Sequence, residues 1–232
     1  LFFNIGAAST TVSELGVQQY EEAADLLTRT VFDDAARREA LVGCVPAAPA
    51  DACVAGFITK FGRRAYRRPL APEEQARWLG IAGALADGDA WQGLRLAVAG
   101  ILQSPHFLYR VELGEPDPDD PARLRYTSHE MASRLSFLLW NTGPDDLLLA
   151  AADAGDLLTE EGLLAEAERL LDDPRARTAI QEFFAQFLDL GRLDGIDRDP
   201  VRYPLFSPTM IASMRTEVQL LVDDLVHRRD GD

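Results

Sequence analysis

Residues 54–74 read VAGFITKFGRRAYRRPLAPEE, and their periodicity points to the fold class. Set out at 100° per residue, Val54, Phe57, Ile58, Phe61 and Ala65 fall in one stripe, which predicts an amphipathic helix over about 51–67 with that stripe on a core. Arg63 and Arg67 then lie nearly opposite the stripe and are expected in solvent. Arg64 and Arg68 fall on its flank, where an aliphatic stem can be buried while the guanidinium meets a carboxylate. Both are therefore expected in structural ion pairs, with Glu73 and Glu74, or the loop acids Glu115, Asp117, Asp119 and Asp120, as partners. Pro72 suits the first turn of a following helix, and the helix dipole favours Glu73 and Glu74 beside it.

The same punctuation recurs along the chain. Ser13 caps ELGVQQYEEAADLLTRT, and a short helix follows in DDAARREAL. The helix opened by Pro72 is expected to end at Asp87–Gly88, and the next begins at Asp89 with Trp91, Leu94, Val98, Ile101 and Leu102 on a face. Pro105 restarts or kinks it. Residues 113–126, LGEPDPDDPARLRY, read as a loop. Thr127 and Glu130 then form a capping box, Pro144 opens DDLLLAAADAG, Thr159 caps the next helix, and Pro174 opens another. A turn-rich stretch, GRLDGIDRDPVRYPLF, precedes a last helix from Ser207–Pro208 to about Arg229. The expected fold is all-α, an irregular multi-helix bundle of about ten helices with no significant β-sheet. The expected organisation is the end of a preceding helical domain (1–43), a small helical domain holding the arginine-rich helix (44–112), a linker loop (113–126) and a second helical domain (127–232) truncated at its C-terminus. With no initiating Met at LFFNIG and a close on HRRDGD, the chain reads as a segment of a longer polypeptide.

Composition excludes several function classes. The formal net charge is −15 and hydrophobic residues make up 47% of the 232. A nucleic-acid backbone or an anionic membrane surface would meet net repulsion. The longest apolar stretch, near 94–108, is broken by Gln103, Ser104, Pro105 and His106, short of the roughly 18 residues of a membrane span. Residues 144–173 hold ten acids against Arg169 alone, read either as solvated helix faces and caps or as a docking face for a basic protein partner.

Chemistry-bearing patterns are sparse. His106, His129 and His227 do not pair at metal-ligand spacing, so no metal site is expected. DGIDRDP lacks the ligand order of a calcium loop and reads as a turn. No phosphate loop or nucleophile elbow occurs, and no catalytic residue is assigned. The one compact candidate site is SPHFLYRVE, where His106 and Arg110, four apart, would share a helix face, with Glu112 beyond. Its alternatives are a general acid/base pair, or a buried capping histidine with a salt-bridged arginine. Cys44 and Cys53 fit neither a zinc pattern nor the Cys-x-x-Cys-His of covalent haem. They either close a ten-residue loop, worth about 2.5–3 kcal/mol in the chain-entropy model, or are ordinary small apolar residues.

Four stretches carry a resemblance: FGRRAYRRPLAPEE, GILQSPHFLYRVELG, SHEMASRLSFLLWNTGPDDLLLAAADAGDL and LLDDPRARTAIQEFFAQFLDL, in that order. Together they resemble the planctomycete-type surface-protein domains of unknown function, also found in myxobacteria. ASTTVSELGVQQYEEAADLL is similar to the end of the domain that precedes these. The resemblance implies an exported protein, periplasmic or on the cell surface, with c-type cytochrome modules before or after this region. Any haem c would sit in a flanking domain, with no cofactor in this segment and the flanking domains as its first partners. Export favours a disulfide between Cys44 and Cys53. Three functions are then expected in turn: a helical scaffold or interaction region, part of a haem-dependent redox enzyme with His106, Arg110 and Glu112 lining the approach to a downstream haem, and, weakest, a hydrolase working through paired carboxylates.

Overall fold

A computed structural model describes residues 13–196, 198–199 and 201–227. The start of the expected preceding domain and the last turn towards Arg229 therefore lie outside the described residues. The described chain is predominantly helical, with α1 (Glu14–Phe32), α2 (Ala35–Val42), α3 (Ala52–Tyr66), α4 (Pro72–Ala84), α5 (Ala90–Gln103), α6 (Pro105–Leu108), α7 (Ser128–Trp140), α8 (Asp146–Ala154), α9 (Glu160–Leu171), α10 (Pro174–Phe187) and α11 (Pro208–His227). Two 3-10 turns, Asp156–Leu158 and Leu190–Gly195, join them. The 113–126 loop folds back on itself as a two-residue antiparallel pairing, β1 (Glu115–Pro116) with β2 (Leu124–Arg125).

Side-chain caps start most of these helices. Ser13, Asp34, Asp51, Asp89, Asp145 and Asp173 each accept a hydrogen bond from a first-turn N–H. The expected capping box forms: the Thr127 N–H donates to Glu130 at 2.7 Å and the Glu130 N–H to the Thr127 hydroxyl at 3.2 Å. At α8 it is Asp145, one residue after Pro144, that caps. α4 ends at Ala84, before Asp87–Gly88, where both residues take positive φ.

By compactness the chain divides into two units. The larger takes the described residues up to Arg134 together with Gly143–Thr159; the smaller takes Leu135–Thr142 and the chain from Glu160 onward. In the larger unit α5 is central and packs on α1, α3 and α4. Its core gathers Phe32 from α1, Val54, Phe57 and Ile58 from α3, Trp78 and Ala82 from α4, and Leu94, Ala97, Val98 and Ile101 from α5. Small residues make the α4–α5 crossing close. A Cβ added at Gly93 would overlap the Ala82 carbonyl, and one at Gly100 would stand 2.6 Å from the Trp78 ring. The Arg95–Asp25 pair at 2.7 Å ties α5 to α1. Cys44 and Cys53 are joined as a disulfide between the end of α2 and the start of α3. Asp51 holds the same loop by accepting from the Ala47, Ala48 and Val54 N–H groups.

In the smaller unit Trp140 is buried, donates its indole N–H to the Leu170 carbonyl at 2.7 Å, and carries the Arg175 guanidinium 3.4 Å from its ring centroid. The buried Asp223 of α11 is ion-paired with Arg177 of α10. Arg215 of α11 reaches Asp194 of the second 3-10 turn at 2.8 Å.

Candidate functional site

Two of the motif stretches meet in the larger unit, where the end of α3 faces α6. Pro69 disfavours helical geometry at Arg68, so α3 must stop before it. It stops at Tyr66, and Arg67 takes the left-handed conformation, φ 60°, a position glycine usually fills. That turn reverses the expectation for Arg67. The 100° progression no longer holds there, and instead of pointing to solvent Arg67 is only 8% exposed. Its guanidinium donates to the carbonyls of His106 (2.6 Å), Tyr109 (2.7 Å) and Phe107 (3.4 Å), and to Ala65 (3.2 Å). One side chain thus satisfies carbonyls around the C-terminal end of α6. Burial first, then the charges of Arg110 and Arg68, pulls the Arg67 guanidinium below its ordinary value.

Beside it Arg68 forks onto Glu74, with contacts of 2.7 and 2.8 Å. Glu74 also accepts from the Ala71 N–H at 2.8 Å, closing the start of α4. The His106 imidazole lies 3.5 Å from the same carboxylate and 5.1 Å, centroid to centroid, from the Tyr66 ring. Arg68 above all, opposed by burial and helped by the Ala71 N–H and His106, holds the Glu74 carboxyl down at about 2. A carboxylate so acidic is a poor general acid or base near neutral pH.

The expected His106–Arg110 helix face does not form. α6 ends at Leu108, because Tyr109 is extended (φ −117°, ψ 154°), so the four-residue spacing no longer aligns the two side chains. The structure brings His106 to Glu74, leaves Arg110 exposed, and brings Glu112 to Arg134 at 2.7 Å. Arg64 stands 58% exposed, 3.6 Å from an equally exposed Asp146. Arg63, expected in solvent, is instead ion-paired with Asp153, which also faces His129 Nε2 at 2.9 Å. Burial raises the Asp153 carboxyl, yet His129 and Arg63 outweigh it and hold it below the usual range. Pro69 is the local signal for the Arg67 turn. For Asp153 with His129 and Arg63 no short-range pattern exists, since 24 and 90 residues separate the partners.

Among the described residues no group of three or more His, Cys, Asp and Glu is placed to hold a metal, and no helix is long and apolar enough to cross a membrane. Covalent haem takes two thiols in Cys-x-x-Cys-His; Cys44 and Cys53, nine apart and bonded to each other, do not fit it.

Two family models match the chain. Residues 53–112 match PSD5, Protein of unknown function (DUF1595), and residues 126–232 match PSD4, Protein of unknown function (DUF1592). No curated protein and no solved structure matches it.

Proposed function

For a chain that belongs to the planctomycete-type proteins defined by these two domains of unknown function, we propose the role of a helical scaffold or interaction region within an exported, c-type cytochrome-associated surface protein, without catalysis of its own. One observation carries the reading: Arg67, Arg68 and Glu74, the most tightly bonded polar side chains where the two motif stretches meet, are engaged with their own fold. Arg67 is spent on the carbonyls of 106, 107 and 109, and Glu74 on Arg68 and the Ala71 N–H. Groups committed in this way position backbone and leave no free nucleophile or poised acid. The Cys44–Cys53 disulfide supports export, since such bonds persist in oxidising compartments.

The test is replacement of His106 by Gln in the complete parent protein isolated from its host. The scaffold reading expects an unchanged visible absorption spectrum and unchanged reduction potential of any haem the parent carries. A shifted potential or Soret band would overturn it and favour the redox alternative, in which His106 lines the approach to a haem held elsewhere in the polypeptide. Recovery of the parent protein from the cytoplasm with both thiols free would remove the exported part of the proposal.

A further inference from the structure

We propose that the first matched region and the opening of the second, residues 126–134 and 143–159, fold as one cooperative unit, joined by a clasp between α3, the start of α7 and α8, with the acidic α8 as the partner of the cationic edge of α3. The matches stop at residue 112 and resume at 126. Side-chain chemistry runs straight across that gap. Arg63 on α3 pairs with Asp153 on α8, and His129 at the start of α7 meets the same carboxylate at 2.9 Å. The Arg63 and His129 side chains are three-quarters buried, so their contacts with Asp153 are shielded from water in a way the looser Arg64–Asp146 contact is not. A Cβ on Gly143 would sit 3.9 Å from the Arg67 stem, so the turn before α8 leans on the same arginine that holds the end of α6.

The loop between the matches is fastened rather than free. Glu130 of α7 accepts from the Leu113 N–H (2.6 Å), the Gly114 N–H (3.0 Å) and the Thr127 N–H (2.7 Å), so one carboxylate grips both ends of 113–126. Arg134 pairs with Glu112 and stacks on Tyr126, 4.4 Å from its ring centroid. The compact division groups residues up to Arg134 and Gly143–Thr159 with the whole of the first matched region, while Leu135–Thr142 and the chain beyond Thr159 belong to the other unit. α8 belongs to the larger unit, and its Leu148, Leu149 and Ala152 are buried. A first matched region cut from α7 and α8 would lose Asp153 from Arg63.

Hydrogen exchange of the full 232-residue chain in rising urea tests this. The slowest amides of α3 and α8 are expected to converge on one opening curve with a common urea slope. Asp153→Asn should then speed exchange in both helices by about tenfold, the size of effect that goes with leaving a part-buried charge unpaired. The double reversal R63D/D153R should restore part of the protection lost in R63D alone. Separate opening curves for α3 and α8 in the unaltered chain, or faster exchange confined to α8 in Asp153→Asn, would overturn the proposal. The measurement on the unaltered chain decides it even where a variant fails to fold.

Discussion

Along α5 the stripe of Leu94, Ala97, Val98 and Ile101 is sealed from water, whereas along α10 Phe183 and Phe187 stack on each other with 50% and 60% of their surface exposed. Both helices are amphipathic, and both have apolar residues at helical spacing. The difference lies in what faces them. Gly93, Gly100 and Ala82 let the α4 and α5 backbones approach until side chains of one helix fill the surface of the other. In the smaller unit the small residues Ala176 and Ala179 are buried, but Phe183 and Phe187 of α10 and Leu220 and Leu221 of α11 stay in contact with solvent. Periodicity gives a helix an apolar face; small residues in register on the neighbour allow that face to be closed.

The sharpest way to break this contrast is at the crossing. Gly93→Ala should destabilise the larger unit by about 3 kcal/mol or more in urea unfolding, because its Cβ meets the Ala82 carbonyl oxygen, a backbone atom that cannot turn aside. Gly80→Ala on α4, with nothing near its Cβ, should stabilise by up to about 1 kcal/mol. Equal responses at the two glycines would mean that the crossing is not close-packed.

Arg67→Ala comes next, with an expected loss of about 2–3 kcal/mol from the carbonyls of 106, 107 and 109 left without a donor. Arg67→Gly should lose less than Ala, since φ 60° suits glycine. An Arg67→Ala variant as stable as the parent chain would show that water replaces the guanidinium freely.

Acid response compares the units directly. Glu74 in the larger and Asp173 in the smaller are both held at about 2, by Arg68 and Arg175 respectively. Each folded value lies below the unfolded one. The stability each contributes is therefore present above the unfolded value, near 4.5 for Glu74, and is lost as pH falls through about 2. Glu74→Gln should flatten the loss of folded protein between those two values. Asp173→Asn, at a solvent-facing cap, should change it less. Circular dichroism against pH for the two variants measures the difference, and an unchanged acid limb in Glu74→Gln would sever Glu74 from the stability of the larger unit. The smallest effect is expected at Phe187→Ser, within about 1 kcal/mol by urea unfolding, because that ring is already mostly wet. A loss matching that of Arg67→Ala would reveal a covered face there.

Local chemistry by itself determined the helices of this protein. Caps such as Ser13, Asp89 and the Thr127–Glu130 box are satisfied by N–H groups two or three residues away, and the core stripe of Val54, Phe57, Ile58 and Ala65 arises from 3.6 residues per turn. Spacing alone leaves the Cys44–Cys53 disulfide as one of two readings. What only the tertiary structure decided is where the polar groups spend their hydrogen bonds. A helical wheel puts Arg63 and Arg67 in water, but the left-handed turn before Arg68–Pro69 swings Arg67 inward, and a helix 90 residues away delivers Asp153 to Arg63. Wheels are blind to both, because they carry neither the end of the helix nor the arrival of another segment. A buried charge goes where donors and acceptors can be paired, and that pairing exists only once the chain has folded back on itself.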